Sequence, residues 1–218
     1  VADAIPLLKN AVEGATARFG ERHVKTAHYL KNLGAAYGMQ RRYAESADLI
    51  ERAVGIESEL YPPGSPDVVN GLNNLGNVQL TLGRLHAARK TLDDASERNR
   101  AAGLDSSLGQ TFVLGNLARV DEALGDDGEA AALLDEARAT ATRVVGPAHA
   151  RTATLDLQAA RLALDRDPKS FAEAERVATS ILAHPDTLGQ FRARSEPEAR
   201  YTLGLAQAAR GETDVAIA

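Results

Sequence analysis

Asn-Leu-Gly stands at Asn32-Leu33-Gly34 and again at Asn74-Leu75-Gly76, and Asn-Leu-Ala stands at Asn116-Leu117-Ala118. The steps 74 − 32 and 116 − 74 are both 42. Ala11, Ala53, Ala95 and Ala137 keep the same step, as do Leu8, Ile50, Leu92 and Leu134. The segment GERHVKTA (Gly20 to Ala27) returns three steps later as GPAHARTA (Gly146 to Ala153). Self-similarity at a fixed period of this length marks a chain of supersecondary modules, each of which buries its apolar face against its neighbours. The period lengthens once: Gly204 lies 44 residues after Ala160. The two extra residues fall in DRDPKSF (Asp165 to Phe171), where Asp-Pro marks a turn, so the flanking helices stay in phase.

Each module reads as two helices. Leu30, Leu33 and Tyr37, then Tyr43, Ala47, Ile50, Ala53 and Ile56, recur at the three-and-four spacing of one helix face. Alanine, leucine and arginine dominate and aromatics make up only 4%, which favours helix over strand. MQRRY (Met39 to Tyr43) joins the two helices of the first complete module. LGRL (Leu82 to Leu85) and LGDD (Leu124 to Asp127) do the same in the next two. Gly83, Gly125 and Gly211 sit where a helix C-terminus needs a left-handed residue. YPPGSPD (Tyr61 to Asp67) and VVGPAH (Val144 to His149) stop helices between modules. FRARSEPEAR (Phe191 to Arg200) reads as a charged loop between modules.

A helix pair with Leu-Gly and a downstream Tyr in its first helix, Gly at the joint, and Ala with a bulky residue in the second resembles the tetratricopeptide repeat. The 42-residue period, NNLG, GRL and the G-x-x-H-x-x-T-A lead-in resemble its kinesin-light-chain type, which also occurs in bacterial multidomain signalling proteins. The likeness is strong over Val24 to Arg143 and weaker from His149, where Asp156 takes a usually apolar place. It implies an all-α, right-handed α-solenoid of antiparallel helix pairs spanning 1–218. The expected order is a second helix over 1–22, repeats near 23–64, 65–106, 107–148 and 149–192, and a partial repeat over 193–218. Neither end carries a polar cap, so a fragment of a longer protein is expected.

In this family the first helices line a concave groove, and groove asparagines bond the backbone of an extended peptide. Asn32, Asn74 and Asn116 precede the packing Leu of three successive first helices. Each amide offers a carbonyl acceptor and two N–H donors, so a ladder of them suits a peptide backbone of any sequence. The competing reading has the amides bond the neighbouring repeat. Flanking positions add His28 and Lys31, then Asn70, Asn73 and Asn77, then Phe112, Arg119 and Arg161. Lys31, Arg119 and Arg161 bring positive charge to a chain of net charge −5, so an acidic or carboxylate-bearing peptide is the expected ligand, although any one of them alone is more simply a solvated charge. The carboxylate clamp of chaperone-binding relatives does not carry over, because Ala35 stands where a second asparagine is needed.

Other chemistry finds no footing in the sequence. There is no Cys, which excludes thiolate metal sites and a cysteine nucleophile. None of His23, His28, His86, His149 and His184 has zinc-site spacing, and no nucleotide-loop or Gly-x-Ser-x-Gly motif occurs. The mild acidity argues against nucleic acid, and no apolar run reaches the length of a membrane span. The expectation is a non-catalytic, cytoplasmic protein- or peptide-binding scaffold without cofactor or metal. Two alternatives stand beside it: a regulatory arm of a larger bacterial signalling enzyme or transcription regulator, such as a Ser/Thr protein kinase, and a self-association module. The sequence leaves the oligomeric state open.

Overall fold

The helix stripes and stop signals of the repeat become ten helices among the described residues, which are 4–184, 189 and 192–211 of a computed structural model. Their order is α1 (Ala4–Phe19), α2 (Val24–Met39), α3 (Tyr43–Leu60), α4 (Pro66–Thr81), α5 (Leu85–Ala101), α6 (Leu108–Leu124), α7 (Asp127–Val145), α8 (Ala150–Arg166), α9 (Phe171–Ala183) and α10 (Arg192–Ala209). No strand occurs among these residues, and the fold is all-α. The two helices of a pair are of similar length: α2 has 16 residues and α3 has 18, α4 has 16 and α5 has 17.

The chain divides into two units, Val1–Val120 and Asp121–Ala218. In the first, α1 to α5 pack each on the next. In the second, α7 packs on α8, α8 on α9 and α9 on α10, and α8 also touches α10. The recurring alanines are the closest-packed points. Ala53, Ala95 and Ala137 are each fully buried, and so is Leu92, while Ile50 and Leu134 are nearly so. Gly34 and Gly76 explain the Leu-Gly pair. A Cβ at Gly34 would lie 2.8 Å from Ile50 Cγ1 and 3.2 Å from the Ser46 carbonyl, and one at Gly76 would lie 2.5 Å from Leu92 Cγ. Glycine is what lets the two helices of a pair come this close.

The joints close as helix C-termini do. Gly83, Gly125 and Gly211 have φ of +71°, +88° and +91°. Arg41 holds the equivalent place in the first pair with φ +60°, and no other described residue apart from glycine has a positive φ. The G-x-x-H-x-x-T lead-in is a helix-capping module. Gly20 and Gly146 turn at φ +91° and +89°, and their carbonyls accept from Thr26 and Thr152 hydroxyls at 2.8 Å. His23 Nδ1 accepts from the Lys25 N–H at 3.1 Å, and His149 Nδ1 accepts from the Arg151 N–H at 3.0 Å. Ser107 serves the same end of α6 by accepting from Gln110 N–H. The imidazole and Ser107 acceptors satisfy N–H groups that no helical carbonyl reaches.

Two readings of the sequence change. The DRDPKSF turn contains a short 3-10 helix, Pro168–Ser170, held by Asp167, whose side chain accepts from Lys169 N–H. The segment from Arg192 to Arg200, expected as loop, is the first half of α10, which carries Pro197 inside it. Proline and dense charge read as a breaker in isolation, yet buried Ser195 and Ala199 anchor this half of the helix. Phe191 and residues 212–218 of the expected partial repeat lie outside the described residues.

Candidate peptide-binding face

First helices α2, α4 and α6 carry most of the expected binding residues. Asn73 and Asn77 on α4 are one helical turn apart, as are His28 and Asn32 on α2, so each pair shares a face. Asn116 and Arg119 on α6 reach across to the α4 pair. Asn116 Nδ2 donates to Asn73 Oδ1 at 2.9 Å, Arg119 Nη1 donates to Asn77 Oδ1 at 2.9 Å, and the same Nη1 lies 3.3 Å from Asn116 Oδ1. The structure thus gathers Asn73, Asn77, Asn116 and Arg119 into one amide–guanidinium network that links two successive repeats.

The three ladder asparagines part company here. Asn116 is half-buried and bonded to the neighbouring repeat. Asn32 is exposed and pairs on its own helix with His28, Nδ2 to Nε2 at 3.1 Å. Asn74 is exposed and its amide makes no hydrogen bond among the described residues. Asn70 is likewise exposed at the start of the same helix, and Phe112 is half-buried. His28 also stacks edge-on to Tyr29, with ring centroids 5.8 Å apart.

The expected basic residues are met by carboxylates. Lys31 Nζ lies 2.6 Å from Glu57 Oε1 and 3.7 Å from Asp67 Oδ1, tying α2 to α3 and to the first turn of α4. Arg161 lies on α8 in the second unit, held by Glu122 at 2.6 Å and Asp165 at 3.0 Å, with Glu198 at 4.0 Å. The hydrogen bond that Arg161 donates to Glu122 raises the Arg161 pKa further, ahead of the opposing effect of burial. Sequence reasoning passed over Glu57. Its side chain is only 3% exposed, and Oε2 has no hydrogen-bond partner. Burial pushes its pKa up, against the pull of Lys31. Gly71 packs beside it and makes room for Val54: a Cβ there would sit 2.7 Å from Val54 Cγ2, while Glu57 Oε2 would be at an ordinary contact distance of 3.6 Å. Gln158, the fourth member of the asparagine column, was missed as well because the type changes; it is 6% exposed and its Oε1 is unpartnered. Asp156, the polar intruder of the fourth repeat, accepts from Arg138 Nε at 2.7 Å. Among the described residues no cluster of three or more His, Asp or Glu could hold a metal ion, and no helix is long and apolar enough to cross a membrane.

The tetratricopeptide repeat family model matches residues 1–59 and 67–143. The chain belongs to the tetratricopeptide repeat family. Among solved structures it is similar to BtubC (BKLC) from P. vanneervenii, at 20% identity and a TM-score of 0.75, covering 98% of this chain and 85% of that one. It is also similar to the repeats of a putative kinesin light chain from Podosopora anserina, at 19% identity and a TM-score of 0.67, over 89% of this chain and 92% of that one. A variant of those repeats gives 18% identity and a TM-score of 0.66, over 87% and 89%. These likenesses establish a tetratricopeptide fold of the kinesin-light-chain-like type. No curated protein matches the sequence. A tetratricopeptide repeat fold of this kind is, in general terms, a protein-interaction module.

Proposed function

We propose that the chain is a non-catalytic scaffold that holds an extended peptide against the first-helix face of its first unit, with Asn74 as the central contact. The observation that carries this reading is a contrast within one face. Asn73, Asn77, Asn116 and Arg119 are locked to one another, whereas Asn74 stands exposed and its amide makes no hydrogen bond among the described residues. An amide on a rigid helix beside a fixed polar network offers a peptide bond a donor and an acceptor at little ordering cost. Asn32 with His28, and Asn70, extend the polar surface on α2 and α4. Each such bond is worth about 1 kcal/mol net, so affinity rests on several together. Acidic side chains of the peptide compete with Asp67, 60% exposed, for Lys31.

The test compares Asn74→Ala with the wild type by capture of partners from a lysate, followed by fluorescence titration with a peptide from the captured partner. Asn74→Ala is expected to weaken binding about tenfold and to leave the urea midpoint unchanged. Undiminished binding by Asn74→Ala, with loss of binding by a variant elsewhere on the chain, would remove this face as the site.

A further inference from the structure

The second unit reverses the sign that its arginine suggests in the sequence. Arg161 on α8 is shared by carboxylates from three helices: Glu122 near the end of α6, Asp165 one turn further along α8, and Glu198 on α10. Three carboxylates around one guanidinium leave the set negative. Glu122 and Asp165 bond to Arg161 directly, at 2.6 and 3.0 Å. Glu198 stands at 4.0 Å, beyond hydrogen-bond reach, and its side chain is partly open to solvent. Asp165 lies in the last turn of α8, where the helix C-terminus itself favours a cation.

A buried acceptor lies on the same face. Gln158 precedes Arg161 by three residues and Asp165 by seven, a spacing that puts all three on one side of α8. The residues of the same two columns in the preceding repeat, Asn116 and Arg119, stand 3.3 Å apart. Gln158 is 6% exposed, and its Oε1 receives no hydrogen bond. Helix α10 packs on α8, which brings Glu198 alongside. A buried acceptor left empty costs stability, and one left empty beside surplus carboxylates suits a donor that carries positive charge. A guanidinium has N–H donors enough to reach a carboxylate and an amide oxygen together.

We propose that this face of α8 and α10 is a subsite for an arginine side chain of a partner segment, with Glu198 as its ion-pair partner and Gln158 Oε1 as a second acceptor. The proposal is independent of the Asn74 face, which lies in the other unit. The test titrates the isotope-labelled full chain with blocked peptides of the form Ala-Gly-X-Gly-Ala, where X is arginine, citrulline or glutamate, and follows amide resonances by NMR. The arginine peptide is expected to shift the Gln158 side-chain amide and α10 backbone amides saturably, and the other two to leave them in place. Glu198→Gln should weaken that binding about three- to fivefold. Gln158→Leu should weaken it too, read from the α10 backbone, while raising Tm, because an empty buried acceptor is removed. If Glu198→Gln unfolds the chain, Gln158→Leu alone decides. Equal shifts with the citrulline or glutamate peptide, no saturable shift, or undiminished binding by the variants would overturn the proposal. So would a lower Tm in Gln158→Leu, because the amide would then be a structural partner and not an open acceptor.

Discussion

Gly76→Ala tests the packing argument that sets the whole repeat. In an exposed helix interior the exchange stabilises by up to about 1 kcal/mol, because alanine loses less backbone entropy and buries no extra polar surface. At Gly76 the new Cβ lands 2.5, 2.8 and 3.1 Å from Leu92 Cγ, Cδ2 and Cδ1. Leu92 has no exposed surface and cannot swing outward into solvent. The helices must separate or Leu92 must leave its rotamer, and overpacking of that kind costs roughly 1–3 kcal/mol. Set against the propensity gain, a net loss of up to about 2 kcal/mol is expected. Gly55 supplies the control: it lies mid-helix in α3, exposed, with nothing within 4 Å of a built Cβ, so Gly55→Ala should stabilise. The assay is urea unfolding followed by helical circular dichroism, with the midpoint and slope fitted separately. Leu92→Val in the Gly76→Ala background should cost less than in the wild type, because the smaller side chain makes room; such non-additivity is expected of residues in contact. Equal stabilisation by Gly76→Ala and Gly55→Ala would refute close helix approach as the reason for the Leu-Gly pair.

Four further outcomes follow from particular bonds. Asn116→Ala should lower stability by about 1 kcal/mol, since it removes the Asn73 bond and one Arg119 contact; denaturant unfolding against Asn74→Ala measures the difference. His149→Ala should cost about 1 kcal/mol through loss of the α8 cap, and His149→Asp should restore it; thermal unfolding of the two variants checks this. Arg41→Gly should stabilise by about 1 kcal/mol, because Arg41 holds φ +60° where the other joints use glycine; the Tm of the variant reads it directly. Burial raises the Glu57 pKa above its unfolded value, so between the two values the native chain binds more protons than the unfolded one. The Glu57 contribution is therefore full below the ordinary glutamate range and fades as pH rises through the raised value. Glu57→Gln should remove that downward slope, which unfolding free energies measured across the mildly acidic range will show as a wild-type minus variant difference.

The fold was readable because the repeat reports the same geometry several times over. One Leu-Gly pair is weak, but Gly34 and Gly76 in one register, each facing a bulky residue 16 positions on, amount to repeated readings of a single helix crossing. Deviations were informative only when the column had been recognised: Arg41 in a glycine column still turns left-handed, and Asp156 in an apolar column finds Arg138. What the sequence hid was pairing. Lys31 and Arg161 read as positive charges on a face, yet each meets carboxylates that approach from other helices, Glu57 of α3 for one and Glu122 of α6 for the other. A one-dimensional pattern carries the side a residue faces but not which side chain arrives opposite. The asparagines divide for the same reason. Asn74 and Asn116 occupy equivalent columns, and only the chain preceding each decides the outcome: Asn73 stands 43 residues before Asn116, and at the same step before Asn74 stands Lys31, drawn to Glu57 and Asp67. The substitution of lysine for asparagine in that one column thus leaves the middle amide unbonded. Lys31→Asn should therefore bring a second cross-repeat amide pair into being and, if Asn74 is the peptide contact, weaken capture without touching Asn74 itself.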